Sequence, residues 1–238
     1  MKPFLIAGGG IGGFAAALAL ARHGIESIVI ERETELREAG AGIQLGPNVF
    51  AMFDVLGLTD AINQVAVFPD ALVMMDALDA SEVTRIPLNT AEFRAKFTHP
   101  YGVIYRPDLH NALIGAAKAT GKVDVRLGEK VTGFEDTGMS VRVSLASGER
   151  LEGEALIGAD GLWSKVREAI VGDGAPRVSG HIAYRAVLPE HEVPPANHKN
   201  EVILWAGPKT HLVHYPLHKG EIFNLVTVFH SDAYEEGW

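Results

Sequence analysis

Five glycines fall within six positions, Gly8, Gly9, Gly10, Gly12 and Gly13, and this is where the sequence first points to chemistry. In the spacing Gly8-x-Gly10-x-x-Gly13 the first glycine makes a tight turn, the second lets a pyrophosphate approach the backbone, and the third lets a helix pack closely on a strand. That reading requires a strand before the glycines and a helix after them. Phe4 to Ala7 reads as a short buried strand and Ile11 to Arg22 as an Ala/Leu-rich helix stopped near Gly24. The N–H groups at that helix start, Gly12 among them, then face phosphate. Eighteen residues past Gly13, Glu31 ends a second buried strand, Ser27 to Glu31, where a carboxylate accepts hydrogen bonds from ribose hydroxyls and disfavours a 2′-phosphate. Arg32, the next residue, is grouped with it as a cofactor contact. A dinucleotide is implied, and FAD and NAD stay undistinguished by these residues.

A second signal is Ala155-Leu156-Ile157-Gly158-Ala159-Asp160-Gly161-Leu162-Trp163-Ser164-Lys165-Val166-Arg167, a strand that runs into Asp-Gly and then a helix. An acceptor at the C-terminal edge of a sheet strand can bind ribityl hydroxyls, and Gly161 leaves room for a cofactor. The alternative is that Asp160 merely caps the helix that follows. Arg106 in Ile104-Tyr105-Arg106-Pro107-Asp108-Leu109-His110 opens another helix, where a guanidinium can brace a diphosphate or simply sit in solvent. The segment Gly40-Ala41-Gly42-Ile43-Gln44-Leu45-Gly46-Pro47-Asn48 covers little apolar surface, so packing explains it poorly.

The Asp160-Gly161 pattern combined with the glycine turn resembles the fingerprints of the single-component FAD-dependent aromatic hydroxylases, the para-hydroxybenzoate hydroxylase group. On that resemblance Arg106 lies along FAD, and Gln44 sits on a loop and strand beside the flavin. Trp205-Ala206-Gly207-Pro208 and His211-Leu212-Val213-His214-Tyr215-Pro216-Leu217 look most like the branch containing 3-hydroxybenzoate 6-hydroxylase and salicylate hydroxylase. The family's third fingerprint, Gly-Asp-Ala-Ala-His-Pro followed by a Gly-Gln-Gly turn, has no counterpart; Gly172-Asp173-Gly174-Ala175-Pro176-Arg177 lacks its histidine and helix context. The expectation is therefore the N-terminal portion of a longer enzyme, ending at Glu235-Glu236-Gly237-Trp238 soon after a strand.

Seven of the ten histidines lie at or after position 181, and His211, His214 and His218 have a spacing that would converge on a helix. Val213 and Pro216 favour a strand instead, which sends His211 and His214 to opposite faces, and no carboxylate or thiolate completes a metal set, so no metal is expected. His211 and Tyr215 do share a face, where an imidazole, which exchanges its proton near neutral pH, and a phenol hydroxyl can serve one pocket or simply line the sheet. Tyr101 is a third, weaker candidate.

The resemblance implies that NADH or NADPH reduces FAD and that a flavin C4a-hydroperoxide hydroxylates a monohydroxybenzoate, 3-hydroxybenzoate giving 2,5-dihydroxybenzoate. His211 would draw off the phenol proton and Tyr215 would orient the phenol or carboxylate. Two alternatives stand beside it. A two-nucleotide flavoprotein reductase usually carries a second GxGxxG unit and often a redox cysteine pair, and neither is present. A non-catalytic FAD-binding module is the other.

These residues need elements to hold them. The first strand, helix and strand form a βαβ unit, and helices are predicted at Asn48 to Leu56 and Pro107 to Lys118. Strands are predicted at Leu72 to Asp76, Val83 to Ile86, Val123 to Arg126, Lys130 to Phe134, Val141 to Leu145 and Arg150 to Gly158. From Val178 the chain is mostly strand: Gly180 to Val187, Val202 to Trp205, His211 to Leu217 and Phe223 to Phe229. The fold class is α/β, with a Rossmann-like FAD-binding domain (1–70 and 101–178), a β-rich substrate domain (71–100 and 179–238) and the C-terminal part of the family fold absent. A chain of 238 residues that is 47% apolar can fill one large core or two modest ones. Its net charge of -9 opposes a nucleic-acid partner. With no cysteine, disulfides and thiolate metal sites are excluded, which fits the cytoplasm. The apolar run from Phe4 to Ala21 imitates a signal peptide or short membrane span, but its glycines break such a helix, so no membrane partner is expected. The family is often dimeric, so the resemblance admits a homodimer.

Overall fold

The computed structural model describes residues 2–37 and 40–231, so the expectation about Glu235 to Trp238 falls outside the described residues. Along the chain run β1 (Phe4–Ala7), α1 (Ile11–Arg22), β2 (Ser27–Glu31), β3 (Gly42–Leu45), α2 (Pro47–Leu56), α3 (Thr59–Val65), β4 (Ala71–Asp76), β5 (Glu82–Pro87), α4 (Ala91–Phe97) and β6 (Gly102–Tyr105). There follow α5 (Arg106–Ala119), β7 (Val123–Leu127), β8 (Val131–Asp136), β9 (Val141–Leu145), β10 (Arg150–Gly153), β11 (Leu156–Gly158), α6 (Lys165–Val171), β12 (His181–Pro189), β13 (Glu201–Gly207), β14 (Thr210–Leu217) and β15 (Ile222–His230). They form two compact units. One comprises Met1–Glu38 and Leu109–Arg177, the other Ala39–Asp108 and Val178–Trp238. Residues 39–70 and 101–108 thus group with the β-rich unit, whereas the expected partition by function assigned them to cofactor binding.

In the first unit β11, β1, β2 and β7 form a parallel sheet in that order, which places β1 centrally. Both faces of β1 are covered, as its continuous apolar sequence requires. Gly13, Phe14, Ala17, Leu18 and Ala21 make a buried stripe at helical spacing on α1, which packs on the sheet. On the opposite face Leu5 and Ile30 join Val143, Leu145 and Leu151 of the antiparallel β10-β9-β8 sheet. The predicted strand from Arg150 to Gly158 is in fact two. The chain leaves β9 at Gly153 and resumes beside β1 at Leu156; the Glu154 N–H donates to the Pro3 carbonyl at 3.0 Å, the Ala155 carbonyl accepts from the Leu5 N–H at 2.9 Å, and glycine at 153 permits the close approach to Leu5. The apolar run from Phe4 to Ala21 is thus strand, turn and helix. Among the described residues no helix is long and apolar enough to cross a membrane.

The second unit is built on a six-stranded sheet ordered β12-β15-β14-β13-β4-β5. All its pairings are antiparallel except β13 with β4. A two-stranded ribbon of β3 and β6 completes it. Val67 and Val103 exchange both backbone hydrogen bonds at 2.8 Å, and with Val202, Tyr215 and Leu217 they form a buried cluster. The strands β3 and β6 and the helices α3 and α4 were not expected from the sequence, although Gln44 had been placed on a strand by resemblance.

Leu5 is wholly buried at the centre of the first unit. Truncation of such a leucine leaves a cavity, so Leu5→Ala is expected to lower the stability of that unit by about 3 kcal/mol, as read from its urea unfolding.

Candidate functional site

The glycine turn of the first unit is set by steric exclusion. Gly8 adopts φ 105°, in the left-handed region, and a side chain there would run into the Ala159 carbonyl at the end of β11. A side chain at Gly13 would strike the Gly8 carbonyl, so α1 can begin this close to β1 only with glycine at 13. Gly10 is the N-cap of α1 and supplies no side-chain cap. Among the described residues the N–H groups of the first turn therefore keep no side-chain acceptor, and nothing lies within 4 Å of the Cβ position at Gly12. This cradle fits an anionic diphosphate, since unpaired helix-start N–H groups and the helix dipole both favour one.

Glu31 braces the same turn. Its Oε2 accepts from the Gly9 N–H at 2.6 Å and its Oε1 from the Glu33 N–H at 2.9 Å. Each oxygen retains a further lone pair for a ribose hydroxyl. Arg32 extends into solvent and pairs with Glu33 at 3.2 Å.

Asp160 lies one residue beyond the Ala159 carbonyl that confines Gly8. Its Oδ1 accepts from the Ser164 hydroxyl at 2.5 Å and its Oδ2 from the Lys165 N–H at 2.7 Å, while Ser164 Oγ accepts from the Arg167 N–H at 2.9 Å. Oδ2 also accepts from the Val166 N–H at 3.3 Å, so the carboxylate organises the start of α6, the role weighed for it as an alternative, and a lone pair of Oδ1 is left over. Gly161, at φ 78°, has open space where a side chain would stand.

In the second unit, His211 and Tyr215 lie on β14, which pairs without a bulge with β13 and β15, so strict alternation holds. The two share a face and His214 is on the other. His214 is buried and its Nε2 accepts from the Trp205 indole N–H at 3.1 Å; burial, and then Lys199, push its pKa down. His218 leaves the strand and pairs with Asp108 at 2.7 Å, so the three histidines do not converge. Tyr215 is 3% exposed, and its ring packs against Gly42 so tightly that a side chain there would come within 2.6 Å of it. Burial chiefly, and the neighbouring Tyr101 phenol, raise the Tyr215 pKa above its ordinary value, with Arg185 acting in the opposite sense. Burial likewise raises that of Tyr101, whose hydroxyl donates to Gln44 Oε1. Arg106 forms the first residue of α5, and its N–H donates to the Ala41 carbonyl at 2.9 Å.

Two residues escaped the sequence reading. Asn224 stands opposite Tyr215 on β15, is fully buried, and accepts from the Gly42 N–H through Oδ1 at 2.7 Å. A lone asparagine within the apolar run Ile222 to Phe229 was the available signal. His110 lies on the buried stripe of α5 with Leu109, Leu113 and Ala117, where a polar residue at an apolar position could have been noticed.

Residues 2–234 match the family model described as an FAD binding domain. The chain is similar to 3-hydroxybenzoate 6-hydroxylase of Polaromonas naphthalenivorans, with 49% identity over 234 residues, 98% of this chain and 58% of the relative. It is also similar to 3-hydroxybenzoate 6-hydroxylase 1 of Aquipseudomonas alcaligenes, with 46% identity over 231 residues, 97% of this chain and 58% of the relative. The chain therefore spans somewhat over half the length of these curated relatives. Its fold matches that of Klebsiella pneumoniae HpxO, solved with FAD and uric acid, at a TM-score of 0.85 and 22% identity, covering 99% of this chain and 58% of that one. At that identity the likeness concerns the fold alone.

Because the folded state holds Tyr215 protonated beyond the ordinary tyrosine value of 10.0, it binds more protons than the unfolded chain above that pH. This phenol accordingly adds no pH dependence through neutral pH and makes stability fall as pH rises above about 10. Urea midpoints measured from pH 8 to 11 should show this decline, and Tyr215→Phe should reduce it to the part that Tyr101 contributes.

Proposed function

The chain belongs to the FAD binding domain family, and from that footing we propose that its first unit binds FAD and that the sheet of its second unit holds and deprotonates an aromatic hydroxy acid. The observation that carries the reading is the uncapped start of α1 beside a turn in which Gly8 is pressed against the Ala159-Asp160 corner. For the whole protein the activity is hydroxylation of a monohydroxybenzoate, 3-hydroxybenzoate to 2,5-dihydroxybenzoate, with NADH or NADPH and dioxygen. The names of relatives at 46% and 49% identity support that substrate. A homodimer and a cytoplasmic setting belong to the same proposal.

In the first unit, the N–H groups of Gly10, Ile11, Gly12 and Gly13 bind the diphosphate. The spare lone pairs of Glu31 accept from the adenosine ribose, and the one left on Asp160 Oδ1 accepts from a ribityl hydroxyl. Arg32, Gln44 and Arg106 keep, on the resemblance, their assignment as cofactor contacts. FAD, when bound, supplies the redox chemistry, taking hydride from the nicotinamide and activating dioxygen for transfer to the ring.

The second unit prepares the substrate. His211 takes the phenol proton through its imidazole, which makes the ring electron-rich enough to be attacked. Tyr215, a phenol protonated at neutral pH, donates a hydrogen bond to the phenolic or carboxylate oxygen. Its burial beside Val213 and Leu217 keeps water from that side of the sheet. Tyr101 is the third contact, its own hydroxyl oriented by Gln44.

Titration of the purified chain with FAD should quench flavin fluorescence, and in the whole protein 3-hydroxybenzoate should accelerate NADH or NADPH oxidation with formation of 2,5-dihydroxybenzoate. His211→Ala should lower hydroxylation about 100-fold while leaving FAD affinity unchanged. Unchanged flavin fluorescence would contradict the cofactor assignment, and hydroxylation at the wild-type rate in His211→Ala would contradict the assignment of the base.

A further inference from the structure

His110 projects from α5 onto the glycine turn. Its Nε2 lies 2.7 Å from the Gly9 carbonyl oxygen, the side chain is 2% exposed, and its ring meets that of Phe14 edge-on with centroids 5.6 Å apart. A carbonyl oxygen only accepts, so Nε2 carries the hydrogen. Gly9 is therefore held from two sides, its N–H by Glu31 Oε2 and its C=O by His110. The second of these bonds bears directly on the cradle. In a trans peptide the C=O and the following N–H point in opposite directions, and the peptide plane between Gly9 and Gly10 is rigid. Drawing the Gly9 carbonyl toward α5 therefore turns the Gly10 N–H to the other side. Glycine on both sides of this peptide imposes little torsional preference, so an outside partner has to select its orientation.

We propose that His110 is a positioning residue for the cofactor: by donating from Nε2 to the Gly9 carbonyl it fixes the peptide plane that aims the Gly10 N–H at the FAD diphosphate. The inference rests on the assignment of FAD to the first unit. His110 touches no cofactor atom in this role and acts through Gly9. Its importance comes from burial, since removal of the donor leaves the Gly9 carbonyl without a partner in a place that water does not reach, and the turn relaxes to satisfy it.

The test is FAD affinity, read from flavin fluorescence, of the purified wild-type chain, His110→Leu and His110→Gln, each checked by circular dichroism and by its melting temperature without flavin. Leucine fills the space without donating, and glutamine donates from its amide. His110→Leu is expected to weaken FAD binding about tenfold, with His110→Gln restored to within about threefold of wild type. A purely structural residue would give variants whose affinities follow their melting temperatures, and equal affinity in the two variants overturns the proposal. Nitrogen-15 NMR of the wild-type imidazole serves if His110→Leu does not fold: a protonated Nε2 is expected, and an unprotonated one overturns the proposal. Failure of the wild-type chain to bind FAD overturns the cofactor assignment and this inference together, whereas wild-type binding that both variants match overturns this inference alone.

Discussion

Gly8 and Gly13 let backbone approach backbone where any side chain would intrude, and the first unit depends on that approach. The Gly8 carbonyl occupies the place of a side chain at 13, and the Ala159 carbonyl occupies the place of one at 8. The end of β1 and the start of α1, neighbours in the chain, consequently meet the end of β11, remote in sequence, within a few ångströms. The parallel pairing of β1 with β2 and β11 supplies the rigidity, and the apolar layers of α1 and the β10-β9-β8 sheet exclude water from both faces. Function follows from what this arrangement leaves over: helix-start N–H groups with no side-chain cap, beside two carboxylates that each keep acceptor capacity.

The second unit solves a different problem. It places polar groups on a strand whose neighbours are apolar, and it does so by burying them in pairs. Tyr215 fills the space that Gly42 leaves free, and Asn224, directly across from it, accepts from the Gly42 N–H. One buried side-chain cluster thereby ties β3 to both β14 and β15. The cost of burying the phenol falls on its charged form, so Tyr215 remains a hydrogen-bond donor where an exposed phenol would begin to ionise. Desolvation also disfavours the charged form of His214 on the opposite face, where its Nε2 accepts from Trp205.

Much of this was legible in the sequence because its causes are local. The glycine spacing, the acid at the end of β2 and the unbroken alternation from His211 to Leu217 are properties of short segments, and the structure reproduces the corresponding elements. The misreadings have tertiary causes. Arg150 to Gly158 has the composition of one strand, and its second part is drawn from β9 to β1 by backbone hydrogen bonds to Pro3 and Leu5, which are remote in the chain. The four-residue strands β3 and β6 are too short to show a period, and they exist through their pairing with each other. The two readings of Asp160 could not be separated by sequence, since capping α6 and facing a cofactor require the same residue type; the structure shows the bonds to Ser164 and Lys165 that belong to the first. His110 and Asn224 were overlooked because a single polar residue on a buried stripe acquires meaning only once its partner, the carbonyl or N–H of a particular glycine, is known.

The central claim is that the diphosphate of FAD rests on the N–H groups that open α1. Amide proton–nitrogen spectra of the labelled chain, recorded as FAD is added, test it most directly. The expected result is that the largest shifts fall at Gly8 through Gly13, with smaller ones at Glu31, around Asp160 and at the other cofactor contacts. Saturable FAD binding that leaves the amides of Gly10 to Gly13 unmoved would contradict it.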